Sequence, residues 1–172
     1  YEESSGKLTR VTKEAFSTGS AHLSPDGKQV LFTGQSYTVK RKNKSGVYVY
    51  DRETGRTTEL LKPRAYDLYD ALWWGEKILL LATDGKRYGL NENAQFYTLN
   101  PASGQVALLA PYEDALGSSV GSDCRLGGGR EWVQEGDKLY FVTTLVGASQ
   151  VYCLEEAGEI RPVYTQAGSV DC

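Results

Sequence analysis

The sequence predicts an all-β fold, a partial β-propeller of about three four-stranded antiparallel blades. A strand-and-turn unit recurs three times along the chain, and its tyrosines lie 49 and 55 residues apart. In each unit a preceding strand is apolar on both alternating faces, and we find no helical periodicity. Four-stranded antiparallel sheets that repeat at this period are typical of propeller blades.

The clearest part of the repeat is a strand followed by a turn that a glycine closes. It occupies residues 47–55, 96–104 and 151–158. Each copy reads apolar, Tyr, small or β-branched, apolar and polar, which indicates a strand, and the glycine supplies the positive φ of a tight hairpin. The tyrosines predicted to be equivalent are Tyr48, Tyr97 and Tyr152.

The other strands of each unit follow from the same alignment. Short inner strands are predicted at 21–23, 71–73 and 131–133, second strands at 28–33, 76–81 and 137–142, and outer strands at 56–61, 105–110 and 159–164. Val30, Ile78 and Leu139 are predicted to be equivalent and buried, because strands that are apolar on both faces belong between two other sheets. A β-sandwich of unrelated strands is the alternative, and the shared register argues against it.

The repeat predicts that residues 1–172 form a single partial propeller domain. Residues 1–19 are predicted to contain an outer strand of a preceding blade (8–12) and a linker. The three blades are predicted at 20–62, 63–111 and 112–165, and residues 166–172 are predicted to start a further blade. The chain starts at Tyr1 and contains no Met, so we expect its N-terminus to be trimmed. Because a propeller closes with four or more blades, we expect the remaining blades to lie outside this sequence.

Two segments carry a family resemblance that covers essentially the whole chain. Residues 23–32 read LSPDGKQVLF, and together with 46–55 they resemble the Pro-Asp-Gly-Lys propeller repeat of prolyl oligopeptidase-family serine peptidases and of TolB. Residues 122–152 are similar to blades of acylaminoacyl-peptidase-like and dipeptidyl-peptidase-like members. The motif is complete once, since residues 74–77 read WGEK, and the Trp-Asp signature of WD40 blades is absent.

The resemblance implies a non-catalytic role. In that family the propeller lies over an α/β-hydrolase domain and restricts which substrates reach its Ser-Asp-His site. It therefore implies a scaffold and substrate-access gate, with the missing blades, the hydrolase domain and a peptide substrate as partners. We assign no catalytic, cofactor-binding or metal-binding residue and expect no cofactor in this chain. The alternative is a TolB-like binding propeller with no enzyme attached.

One motif imitates a catalytic one. Residues 117–121 match G-x-S-x-G, the nucleophile elbow of α/β-hydrolases, which requires a strand before it and a helix after it. Residues 111–116 are predicted not to be a strand, and 122–129 cannot form a helix. The one histidine, His22, precedes the serine instead of following it. We interpret the segment as a flexible inter-blade loop, and an autonomous esterase is the disfavoured reading.

Other polar and aromatic residues have plain structural interpretations. His22 is predicted to be a hydrogen-bonded histidine near the propeller axis, with a channel-lining contact as the alternative. The tryptophans, predicted to pack between blades or else to line the channel, are Trp73, Trp74 and Trp132. The aspartates, predicted to lie in loops without calcium-site spacing, are Asp67, Asp70, Asp114 and Asp123. The basic segments 40–44 and 84–89 are predicted hairpin tips that could touch a partner subunit.

Composition and charge limit the kinds of partner and the cellular location that the sequence predicts. Hydrophobic residues make up 40% and charged residues 24%, which is globular, and the net charge of −3 does not predict a nucleic-acid partner. No apolar stretch reaches membrane-span length, and we expect no membrane partner. Cys124, Cys153 and Cys172 are interpreted as free thiols, which predicts a reducing, cytoplasmic location. Sheets bared at the two ends predict self-association.

Overall fold

The computed structural model describes residues 5–12, 15–37, 44–118, 131–166 and 168, and these form three antiparallel sheets, called here blades one, two and three. Blade one contains β1 (Phe16–Leu23), β2 (Gln29–Ser36), β3 (Gly46–Asp51) and β4 (Thr57–Leu61). Blade two contains β5 (Asp67–Trp74), β6 (Lys77–Thr83), a short 3₁₀ helix (Gly89–Asn91), β7 (Gln95–Leu99) and β8 (Val106–Ala110). Blade three contains β9 (Ala115–Leu116), β10 (Trp132–Glu135), β11 (Lys138–Leu145), β12 (Ala148–Glu155) and β13 (Ile160–Tyr164).

The strand register confirms the predicted repeat. Each sheet is a meander in which the second and third strands pair at the same offset in every blade. The equivalent pairs are Phe32 with Tyr48, Leu80 with Tyr97, and Phe141 with Tyr152. In each third strand the ladder to the fourth strand shifts register directly before that tyrosine, so the β-bulge also repeats.

The predicted hairpin turns are present in all three blades. Gly55, Gly104 and Gly158 adopt φ values of 69°, 71° and 92°. The side chains of Asp51 and Asn100 each accept hydrogen bonds from two backbone amides within the following three residues, which closes the turn. The turn that separates the third and fourth strands therefore depends on the same two features in blades one and two.

Two apolar cores lie between successive blades. The first joins blade one to blade two and includes Leu31, Val47, Ile78, Leu80, Tyr97 and Leu99. The second joins blade two to blade three and includes Trp74, Leu79, Leu81, Phe96, Leu139, Phe141 and Leu154. Because successive residues of β6 point alternately into the first and the second core, the strand is apolar on both faces, as the sequence predicts.

Blade one departs from the prediction in two places. Ile78 and Leu139 are 0% exposed, but their equivalent Val30 is only half-buried, because no sheet of the described chain covers that side of blade one. The predicted outer strand at residues 8–12 is not a strand, and β1 begins at Phe16, earlier than predicted.

The inner strand of blade three is interrupted. β9 and β10 both pair with the same edge of β11, with Leu116 opposite Thr143 and Trp132 opposite Phe141. The prediction that residues 111–116 contain no strand was therefore wrong at Ala115 and Leu116, which form β9, and the predicted inter-blade loop at 117–121 lies mostly outside the described residues. Side-chain bonds explain the error, because the buried Thr143 hydroxyl donates to the Ala115 carbonyl and fixes β9. Residues 119–130 lie outside the described part.

Candidate functional site

The inner strands of the three blades converge on one carboxylate. His22 comes from β1, Asp70 from β5 and Trp132 from β10. The His22 Nε2 atom lies 2.8 Å from Asp70 Oδ1, and Trp132 Nε1 donates to Asp70 Oδ2 at 2.8 Å. These residues are 48 and 62 positions apart in sequence, so the chain of contacts His22–Asp70–Trp132 is a cross-blade link.

Local backbone irregularity presents Asp70 to both neighbours. The β5–β6 register shifts between Leu68 and Asp70, and β1 has its own shift between Thr18 and Ala21. A β-bulge re-aims the side chains next to it. Asp70 is only 5% exposed, and it also accepts a hydrogen bond from the Ala71 amide at 2.7 Å.

The hydrogen bonds keep the Asp70 carboxyl ionised. Burial by itself raises the pKa of this group, but hydrogen bonds from His22, Trp132 and Ser20 outweigh burial and hold the pKa below its ordinary value of 3.8. Asp70 is therefore a carboxylate at neutral pH. A buried carboxylate without such partners would cost several kcal/mol, so Asp70 requires all three inner strands to stay in place.

A second set of bonds strengthens the same junction. The Trp73 indole donates to the backbone carbonyl of His22 at 3.3 Å, and the Gln134 side-chain amide donates to the backbone carbonyl of Trp73. Together with Asp70, these contacts tie β1 to β5 and β5 to β10. The inner strands are thus joined by polar groups, and the middle of each sheet is joined to the next by apolar packing.

An open pocket of about 560 Å³ lies at this junction. It is lined by Ala21, His22, Asp70, Leu72, Glu131, Trp132, Val133 and Gln134. The His22 side chain is 36% exposed there, whereas Asp70 is buried beneath it. The pocket is therefore lined by the imidazole of His22, the indole of Trp132 and the amide of Gln134, and the buried Asp70 carboxylate holds the first two in place.

The structure places most of the residues singled out from sequence. His22 is the hydrogen-bonded inner-strand histidine predicted, and it also borders the pocket. The three tryptophans pack between blades, as predicted: Trp74 lies in the second core, Trp73 packs on the first and Trp132 on the second. The placement of Asp67 and Asp70 in loops was wrong, because both lie in β5. Asp123 lies outside the described residues.

The basic segments are engaged in local contacts where they are described. Residues 40–43 of the first segment fall outside the described part, and Lys44 Nζ donates to the carbonyls of Ala65 and Asp84 at 3.1 and 3.3 Å. In the second segment Lys86 pairs with Asp84 at 2.6 Å and Arg87 pairs with Glu113. These charges fix the loops of blade two, and contact with a partner subunit stays a prediction.

The remaining chemical candidates are not assembled into a site among the described residues. Ser118 shares a 2.6 Å hydrogen bond with Ser149, and Ser119 of the elbow-like motif lies outside the described residues. Burial raises the pKa of the free Cys153 thiol. Among residues with described positions, no three His, Cys, Asp or Glu side chains cluster as metal ligands do. Within the described residues, no helix is long and apolar enough to cross a membrane.

Comparisons with known proteins identify the fold. No family model and no curated protein matches the sequence. Among solved structures, TolB from Acinetobacter baumannii matches with a TM-score of 0.58 and 19% identity over 99% of this chain and 37% of its own. A puromycin-hydrolyzing peptidase of Mycobacterium tuberculosis matches with a TM-score of 0.62 and 17% identity, over 95% of this chain and 25% of its own.

A third similar structure is the β-propeller domain of the Trilobed protease from Pyrococcus furiosus, with a TM-score of 0.57 and 16% identity over 93% of this chain and 46% of that one. The chain thus spans less than half the length of each of these proteins. Its fold is that of consecutive β-propeller blades, as found in TolB and in propeller-bearing peptidases.

Proposed function

We propose that this chain is the non-catalytic propeller segment of a serine peptidase of the prolyl oligopeptidase family, and that it serves as a scaffold and substrate-access gate. The observation that carries the proposal is the axial junction, where one buried carboxylate fixes three inner strands around an open pocket. The likeness to a puromycin-hydrolyzing peptidase and to a protease propeller supports the same class.

A gate must hold its opening at a fixed width, and the junction meets this requirement. Rotation of one blade against the next would break the Asp70 bonds to His22 or Trp132 and leave a buried charge unpaired, which is costly. The apolar cores on either side of blade two oppose the same motion because they are closely packed. The inner strands therefore form a rigid wall beside the pocket, which suits a filter that admits substrates by size.

A TolB-like binding propeller is the second candidate, favoured by the match to TolB over 99% of this chain. Here the pocket at the inner strands would contact a partner segment, and no catalytic domain would be attached. The two candidates differ in whether the natural protein carries an activated serine. They agree on the fold and on the structural role of Asp70.

The proposal predicts that the purified 172-residue chain hydrolyses nothing by itself. The one histidine, His22, is hydrogen-bonded to Asp70 at 2.8 Å, and no hydrogen bond joins its imidazole to a serine among the described contacts. The test is turnover of aminoacyl and acylaminoacyl chromogenic substrates, with Ser119→Ala as the matched control. We expect both proteins to match the buffer blank, and turnover that disappears in the variant would contradict the proposal.

A further inference from the structure

The described side chains that line the pocket of about 560 Å³, called here the axial pocket, have already used their hydrogen-bond donors. The Trp132 indole donates its N–H to Asp70 Oδ2 at 2.8 Å. The Gln134 amide has two hydrogens, and it donates one to the Trp73 carbonyl and the other to the Gly136 carbonyl. Because an indole has one donor and a glutamine amide has two, neither side chain has a donor left for a ligand.

His22 has used its donor in the same way. Its Nε2 atom lies 2.8 Å from Asp70 Oδ1, and the ionised carboxylate can only accept, so the ring proton lies on Nε2. In the neutral imidazole Nδ1 then carries a lone pair, and no described residue donates a hydrogen bond to it. The His22 side chain is partly exposed in the axial pocket, which leaves Nδ1 as an acceptor for a ligand.

The other free polar atoms of the lining side chains are also acceptors. Gln134 keeps its Oε1 atom, because both of its amide hydrogens are used. Glu131 contributes a carboxylate that has no ion pair or hydrogen bond to a described residue. A Cβ on Gly117 would lie 2.6 Å from Glu131 Oε1, so this carboxylate occupies space that only a glycine leaves open. The described lining therefore offers acceptors and negative charge, and it includes no lysine or arginine.

A ligand that matches these groups must supply several hydrogen-bond donors and a positive charge. An arginine guanidinium has five N–H donors, no acceptor and a permanent charge. Its planar face also stacks on aromatic rings, and Trp132 supplies an indole. Ala21, Leu72 and Val133 form apolar parts of the wall, which suit the methylene stem of the same side chain. A metal ion is a poorer match, because the described residues contain no cluster of three His, Cys, Asp or Glu side chains.

We propose that the axial pocket binds the guanidinium group of an arginine side chain carried by a peptide. The guanidinium donates to His22 Nδ1, Gln134 Oε1 and the Glu131 carboxylate. Its planar face lies on the Trp132 indole. Asp70 is a positioning residue, because it holds the rings of His22 and Trp132 and makes no bond to the ligand. That a peptide carries the group rests on the proposed function, whereas the choice of a guanidinium rests on the pocket alone.

Nuclear magnetic resonance of the purified chain tests the proposal, because His22 is its one histidine and gives the one set of imidazole signals. The probe is the doubly blocked tripeptide acetyl-Ala-Arg-Ala-amide, whose only charge is the guanidinium. At about pH 8, where an ordinary histidine is neutral, we expect the Nε2–H tautomer in the free chain and a saturable change of the Nδ1 shift with peptide. The citrulline analogue, in which a neutral urea replaces the guanidinium, is expected to bind at least about 10-fold more weakly.

A second peptide and two variants locate the interaction. Ala-Ala-Ala-amide offers an N-terminal ammonium and no guanidinium, and it is expected to bind as weakly as the citrulline analogue. Glu131→Gln removes the free carboxylate and is expected to weaken the arginine peptide at least about 10-fold. Glu135→Gln is the matched control, because Glu135 lies in the same strand but does not line the pocket, and it is expected to bind as the wild type does. The His22 signals of each free variant show whether its bond to Asp70 is kept.

Three results would overturn the proposal. They are an imidazolium in the free chain at that pH, equal binding of the arginine and citrulline peptides, and no saturable shift at up to about 20 mM peptide. Wild-type affinity in Glu131→Gln, or equal weakening in Glu135→Gln, would also contradict it, since the bound charge would then lie outside the axial pocket. None of these results bears on the peptidase assignment, which depends on an activated serine in the natural protein.

Discussion

Replacing Asp70 by Asn is expected to lower the free energy of unfolding by about 3 kcal/mol, although the side chain keeps its size. The carboxylate accepts hydrogen bonds from His22, Trp132 and the Ala71 amide at 2.7 to 2.8 Å. An amide has one acceptor oxygen, and its NH₂ group must face a donor from one of these neighbours. Urea unfolding followed by tryptophan fluorescence measures the loss.

Asp67→Asn is the matched control, because Asp67 lies in the same strand but is only half-buried and has no side-chain partner among the described contacts. We expect it to change stability by less than about 0.5 kcal/mol. Equal losses in the two variants would show that Asp70 does not hold the blades together.

The Asp70 contribution also has a defined pH dependence. The folded chain holds the pKa of Asp70 below the ordinary value of 3.8, so the ionised form stabilises the folded state above that pH. This stabilisation is lost as the pH falls through the lower pKa of the folded state. The difference between wild type and Asp70→Asn is therefore expected to be full at neutral pH and to close in strong acid.

Replacing Val146 by Asn is expected to stabilise the chain by about 1 kcal/mol, which corresponds to a rise in Tm of about 2 to 4 °C. Val146 and Gly147 form a two-residue hairpin turn between the paired Leu145 and Ala148, with φ values of 46° and 77°. Such turns favour Asn-Gly, whereas a β-branched residue is strained at positive φ. Val146 is fully exposed, so its side chain contributes no burial in return.

Val163→Asn provides the control for this second prediction. Val163 is also an exposed valine, but it lies in β13, at the β-bulge of the β12–β13 ladder, and its φ is not positive. Asn is a poorer strand residue than Val, so this change is expected to be neutral or destabilising. If thermal unfolding shifts the same way in both variants, relief of backbone strain is not the cause.

The blades could be predicted from sequence because their signals are local. Alternating apolar residues and the Asp51 and Asn100 turns each determine structure within about ten residues, and the repeat aligned Tyr48, Tyr97 and Tyr152 correctly. Because the same register recurs three times, each strand assignment is supported by the two other copies of the repeat. The extent of the inner strands was missed because their outer halves are polar or bulged.

The axial site could not be predicted because it depends on contacts between blades. Nothing in the residues around Asp70 indicates burial, since the bulge that presents it is set by pairing with β6. The sequence did contain one signal for this site. When the inner strands are aligned, Ala21, Ala71 and Trp132 occupy equivalent positions, and Asp70 lies one residue before Ala71. Three polar or aromatic side chains at adjacent inner positions can meet only when successive blades are stacked.

The most direct test of the proposed function is reaction of the natural protein with a fluorophosphonate probe for activated serines. The protein is captured from its source with an antibody raised against this chain, and the purified 172-residue chain serves as the control. We expect a labelled band larger than 18.9 kDa and no label on the control. An unlabelled natural protein would contradict the peptidase assignment and favour a binding propeller.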